Sequence, residues 1–144
     1  MGARGPHDDF ESAERTVREA FEHYAEHRDL DQIKDAYVAG DLEYVTRQGT
    51  FHGHDKWMDD FAVQESNFDF DNEVEEVVDG GEGAIILLNR VLRKDKETGD
   101  VVWKAWPAIV VRILDGKLVF FEGYIDRRQA LADFGVEQTQ GGRE

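Results

Sequence analysis

The sequence predicts an α+β fold in which helices gather on one face of a curved, mixed but mostly antiparallel sheet. Two observations lead there. Apolar residues recur at helical spacing over most of the first 65 positions, and from Phe68 onward the period changes to two. A third is the order of elements: helix, helix, strand pair, helix, then long strands joined by turns, which is α+β rather than an alternating α/β pattern.

The elements follow in order. Val17, Phe21 and Tyr24 form one apolar stripe in a helix that begins near Glu11, with Ser12 as its N-cap, and ends near His27. Leu30, Ile33 and Tyr37 mark a second helix, capped by Asp29 and stopped by Gly40. Leu42, Tyr44 and Thr46 alternate with polar positions in a strand, and Thr50 to His52 is a second, very short one. Asp55 to Glu65 is helical, with Trp57, Met58 and Phe61 on its buried side. Phe68 to Glu75 alternates again, and Asp79 to Gly83 is a turn. Ala84 to Lys94 and Val101 to Leu114 are long strands joined by the polar loop KDKETGD. Asp115-Gly116 is the strongest hairpin signal in the chain. A last strand, Leu118 to Asp126, leads into a helical turn from Arg127 to Phe134, capped by Asp126 and stopped by Gly135.

The length of 144 residues suits one domain, taken as 10–135, with 1–9 and 136–144 expected as mobile tails. A domain of this size buries roughly 68–70% of its unfolded surface, so it needs no staple. There is no cysteine, which excludes thiolate catalysis and disulfides. The 32 acids outweigh 17 bases, and a net charge of −15 repels nucleic acid and anionic membranes. The basic stretches Arg127-Arg128 and Arg93 to Lys96 are diluted by acids. No apolar run is long enough to span a bilayer, and the first nine residues lack the apolar core of a secretion signal. A cytoplasmic location is expected, with no cofactor.

Alternation assigns strand faces. Expected inward are Leu42, Tyr44 and Thr46; Ile86, Leu88, Arg90 and Leu92; Trp103 to Ile113 at odd positions; and Val119, Phe121, Gly123 and Ile125. A one-residue slip would invert any set. Candidate ligand contacts are Tyr24, Tyr44, Trp57, Arg90, Trp103 and Phe121. An inward arginine must be paired or meet an anionic or carbonyl-bearing ligand; a salt bridge to Glu76 is the bland alternative. The tyrosines and tryptophans are equally readable as core. His52-Gly53-His54-Asp55 resembles a metal-ligand cluster, but Gly53 and the helix start break the strand there and no third histidine is near, so no metal site is assigned. His52 near a cavity mouth remains a candidate acid or base. Asp59-Asp60 reads as solvated charge. Trp106, Ala108, Val110, Phe120 and Tyr124 line up on the outer face, an apolar patch that suits a homodimer interface.

The pieces HRDLDQIKDAYVAGDLEYV, FHGHDKWMDDF, VEEVVDGGEGAII and VVRILDGKLVFFEGYIDRRQAL, in this order, resemble the SnoaL-like branch of the NTF2-like superfamily over 10–135. The resemblance implies a cone: a bent sheet wrapped around a helix, with an apolar cavity and dimerisation through the outer sheet face. It also implies where relatives keep catalytic groups. The ketosteroid isomerase positions fall on Phe21, on Val45 or Thr46, and on Ala108 or Ile109. The epoxide hydrolase arginine matches Arg90, but its two aspartates match Leu92 and Gly123. The acid of polyketide cyclases also falls near Gly123. None of these activities keeps its carboxylate here. Three readings stand. The first is a protein that binds a small hydrophobic or carbonyl- or acid-bearing molecule in the cone. The second is an isomerase, cyclase or dehydratase using Arg90, Tyr44 and His52. The third is a dimeric scaffold with a filled cavity.

Overall fold

The computed structural model describes residues 7–136, and within them four helices and seven strands. In chain order these are α1 (Phe10–His27), α2 (Leu30–Tyr37), β1 (Val38–Thr46), β2 (Gly49–His52), α3 (Asp55–Asn67), β3 (Asp69–Gly81), β4 (Ala84–Lys94), β5 (Val101–Ala105), β6 (Ala108–Leu114), β7 (Lys117–Tyr124) and α4 (Arg127–Asp133). The sheet order is β2-β1-β7-β6-β4-β3, with β5 also pairing β4. Only β1 and β7 run parallel, so the sheet is mixed and mostly antiparallel, as predicted. None of the described helices is long and apolar enough to cross a membrane.

Two apolar clusters lie on opposite faces of the sheet. On the inner face Leu42, Ile85, Leu87 and Val111 meet Val17 of α1, Ile33 of α2 and Trp57 of α3. On the outer face Ala84, Ile86, Leu88 and Val110 meet Ala130 and Leu131 of α4. This is why the faces of β4 differ from those expected. Residues 84–88 are buried on both sides, so their sequence is a continuous apolar run with no alternation to set the register. Ile85 and Leu87 face inward, and Ile86 and Leu88, predicted inward, face outward.

Four local features shift the other predictions. The single long strand expected from Val101 to Leu114 divides at Trp106-Pro107, because proline offers no N–H to a ladder. The carbonyl of Pro107 instead accepts from the Asn89 N–H at 3.0 Å. In β7 the pairing moves from Arg112–Phe120 to Ile113–Leu118, which leaves Val119 as the extra residue of a bulge. Leu118, not Val119, therefore joins the inner cluster. Phe121 and Gly123 keep the inward face, opposite Val111 and Ile109, while Ile125 leaves the strand and is 74% exposed. At the start, α1 is capped by Asp9, whose carboxylate accepts from the Ser12 N–H at 2.8 Å; Ser12 itself lies inside the helix. α2 passes directly into β1 at Val38, so Gly40 is a strand residue and not a stop.

The outer-face patch is largely covered within the chain. Val110 is fully buried beneath α4, Phe120 lies under the Arg112 guanidinium, and the Tyr124 hydroxyl donates to Asp133 at 3.1 Å. Of the five residues expected in a homodimer contact, only Trp106 is strongly exposed, at 48%.

Part of the segment expected as an N-terminal tail is docked. Asp115 and Gly116 both have positive φ, 53° and 75°, the type I′ turn that the Asp-Gly pair predicts. The Asp8 carboxylate accepts from both turn N–H groups, at 2.8 and 3.0 Å, and the Asp8 N–H donates to Ile113 at 2.9 Å. Residues 1–6 and 137–144, the remainder of the two expected tails, lie outside the described residues. Asp8→Ala removes two charge-assisted bonds to backbone donors at a partly solvated site. The expected loss is about 1–2 kcal/mol of unfolding free energy by urea titration; no change would show that the clamp is idle.

Candidate functional site

Helices α1, α2 and α3 do not fill the concave face of the sheet. Between them lies a cavity of about 530 Å³. The predicted stripe Val17, Phe21 and Tyr24 forms one wall, because residues four and three apart share a helix face. Ile33 and Tyr37 of α2 and Trp57 and Phe61 of α3 form a second. Leu87, Ile109, Val111 and Phe121 form the sheet wall. The rings of Trp57, Phe61 and Phe121 pack edge-on or tilted, with centroids 4.9 to 6.3 Å apart, which fixes an aromatic end to the chamber.

The polar groups Tyr24, Arg28, Asp71, Glu73 and Arg90 of the lining have partners. The Tyr24 hydroxyl donates to Glu65, and burial, reinforced by that carboxylate, pushes its pKa up to about 12. Arg28 ends α1 in a left-handed conformation and donates to the Phe70 carbonyl at 2.7 Å and to Asp71 at 3.3 Å. Asp71 also pairs with Lys94 at 2.9 Å; the Lys94 bond is the main cause holding its carboxyl below the usual range, with Arg28 adding to it. Arg90 pairs with Glu73 at 2.6 Å rather than with Glu76. The register of β3 shifts between Val74 and Glu76, so Glu73 is the residue opposite Arg90.

The proposed working set Arg90, Tyr44 and His52 does not converge. Arg90 is among the lining residues but stands at the rim with its side chain 39% exposed. Tyr44 is outside the lining. Its ring meets the edge of Phe121 at 5.7 Å and its hydroxyl donates to Asp60 at 2.7 Å. Burial first, and then that carboxylate, push its pKa well above the usual phenol value. Asp60, read from sequence as solvated, thus holds both Tyr44 and, at 2.9 Å, Lys56. His52 is exposed on β2, opposite Glu43. His54 heads α3 beside Asp55, and among the described residues no group of three or more His, Asp or Glu could hold a metal. Trp103, predicted inward, lies beyond the lining on β5 and is 42% exposed, because the break at Pro107 carries β5 past the end of β6.

Three carboxylates line the cavity, and Glu22 of α1 is an exposed one. Asp71 and Glu73 are each held by a cation. Among the described residues the one carboxyl whose pKa is pushed up is Glu122, through burial and then the nearby Asp133; it lies opposite Val110 on the outer face. Gly123, inward on β7, has no atom within 4 Å of where a Cβ would sit. A side chain there enters open space. Gly123→Ala is expected to keep stability within about 0.5 kcal/mol or raise it slightly. A loss above about 2 kcal/mol in urea would show that the strand needs glycine at this point.

Leu87, Arg28 and Glu65 were not legible as site residues. Leu87 was lost to the inverted register of β4, and the left-handed cap at Arg28 has no sequence signature of the Gly or Asn kind.

No family model matches the chain, and no curated protein matches it. Solved structures do. An NTF2-like protein of unknown function from Burkholderia pseudomallei is 22% identical, covers 83% of this chain and 95% of its own, and superposes with a TM-score of 0.63. A protein assigned as a SnoaL-like polyketide cyclase from Jannaschia is 12% identical over 92% of this chain and 99% of its own, with a TM-score of 0.67. An LEH-like epoxide hydrolase from M. tuberculosis is 20% identical over 83% and 82%, with a TM-score of 0.58. The chain has the NTF2-like, SnoaL-like fold that its sequence resembles.

Proposed function

We propose that this NTF2-like chain binds a small, largely apolar molecule inside the cone and supplies no general base to it. The observation that carries this reading is the 530 Å³ chamber, walled mostly by aliphatic and aromatic side chains, with Tyr24 and Arg90 already paired to carboxylates. Concave, mostly apolar cavities of a few hundred Å³ are where proteins hold small molecules. A scaffold with a filled cone would have no such space. The neighbours named as an epoxide hydrolase and a cyclase share the fold, but fold alone does not carry chemistry. This chain has Leu92 and Gly123 where its resemblance to such enzymes would ask for carboxylates.

The test is a fluorescence titration with N-phenyl-1-naphthylamine, a neutral apolar probe. Saturable binding at one site per chain, with a raised melting temperature, is expected. Failure to bind this probe at any concentration below its solubility would sink the reading.

A further inference from the structure

We propose that Arg93 is an anion receptor beside the cavity and that the molecule held in the cone carries a carboxylate; this rests on the binding function proposed above. Arg93 stands directly opposite Phe70 on β3 and directly opposite Trp103 on β5. Directly opposite residues share a face of the sheet. Phe70 lines the cavity. The row Phe70–Arg93–Trp103 therefore continues the cavity wall outward along the wing made by β3, β4 and β5, and Arg93 is one strand spacing, about 4.8 Å, from the lining.

The guanidinium is fixed in place. Its central carbon lies 4.1 Å from the centre of the Trp103 ring and 5.5 Å from that of Phe68. Stacking on aromatic rings restrains the planar group but does not neutralise it, and the N–H donors around its edge remain available. Among the described residues Arg93 has neither an ion pair nor a hydrogen bond to a carboxylate, whereas four bases near it do: Arg28 and Lys94 pair with Asp71, Lys96 with Asp69 and Arg90 with Glu73. In a chain of 32 acids and 17 bases, Arg93 is a cation stacked on two rings with no carboxylate within ion-pair distance among the described residues. A carboxylate meets such a fork with two parallel bonds, and the adjacent chamber takes the apolar body. Arg90, the arginine singled out in the sequence, already spends its charge on Glu73.

The experiment titrates the full chain with octanoate and with 1-octanol by calorimetry, using wild type, Arg93→Gln, Arg93→Lys and Arg90→Gln. Octanoate is expected to bind at least about tenfold more tightly than the alcohol, the worth of a charge-assisted pair. That advantage disappears in Arg93→Gln, is reduced in Arg93→Lys, which lacks the planar fork, and persists in Arg90→Gln. Equal binding of acid and alcohol by the wild type overturns the proposal and leaves the cavity reading intact. An acid preference retained in Arg93→Gln, or lost in Arg90→Gln, assigns the anion elsewhere and also overturns it. Binding of neither compound removes both readings. Melting curves report whether each variant folds, and should Arg93→Gln not fold, full acid preference in Arg93→Lys is the overturning result.

Discussion

Val111→Trp is expected to weaken N-phenyl-1-naphthylamine binding at least about tenfold while the protein stays folded. Val111 lies at the centre of the inner sheet face, between Ile85 on β4 and Phe121 on β7, and its side chain lines the cavity. An indole there projects into the 530 Å³ space instead of into packed atoms. Overpacking a full core costs about 1–3 kcal/mol; a site that opens on a chamber should cost no more than the lower end. The probe then loses the volume that the indole takes, and each buried methylene-sized group it forfeits is worth about 0.8 kcal/mol. The control is Val102→Trp on β5, where the native side chain is already 54% exposed. Unchanged affinity in Val111→Trp would place the probe outside the cone.

The largest stability effect is expected at Trp57. This residue is 4% exposed and packs against Phe61 and Phe121, so it ties α3 to the last strand. Trp57→Ala is expected to cost about 3–5 kcal/mol, the usual range for deleting a buried aromatic ring. Trp57→Phe should cost far less, for two reasons. It keeps an aromatic ring between Phe61 and Phe121. It also removes Nε1, a buried donor with no hydrogen-bond partner among the described residues, whose desolvation is uncompensated and worth about 1–3 kcal/mol. Urea unfolding of the three proteins measures both differences. Equal losses for Ala and Phe would mean that Nε1 has an essential partner.

The residues show why some of this architecture was legible and some was not. The helix stripe Val17, Phe21 and Tyr24, the caps Asp29 and Asp126 and the Asp115-Gly116 turn are local signals, and each stands where the pattern put it. The inner face of β6 was legible because Ile109, Val111 and Ile113 alternate cleanly with outward Ala108 and Val110. What failed was non-local. Burial of β4 on both faces erased its alternation, and the bulge at Val119 moved Leu118 inward without a residue type to announce it. The Asp8 clamp joins positions 107 and 108 residues apart, beyond any local pattern.

The site divides the same way. Its apolar lining followed from periodicity, but the state of each polar group depended on a partner from another element. Arg90 looked like the cavity's cation until Glu73 stood opposite it. Arg93 was passed over as one base in a run diluted by acids, and only the pairing of three strands places it between aromatic rings in line with Phe70.

The most direct measurement is a crystal structure of the protein soaked with 1-bromonaphthalene, read by bromine anomalous scattering. A single peak inside the cone, within contact distance of Val17, Trp57 and Ile109, is the predicted result. A cone without a bromine peak, with bromine bound only at the outer face near Trp106 or on β5, would contradict it.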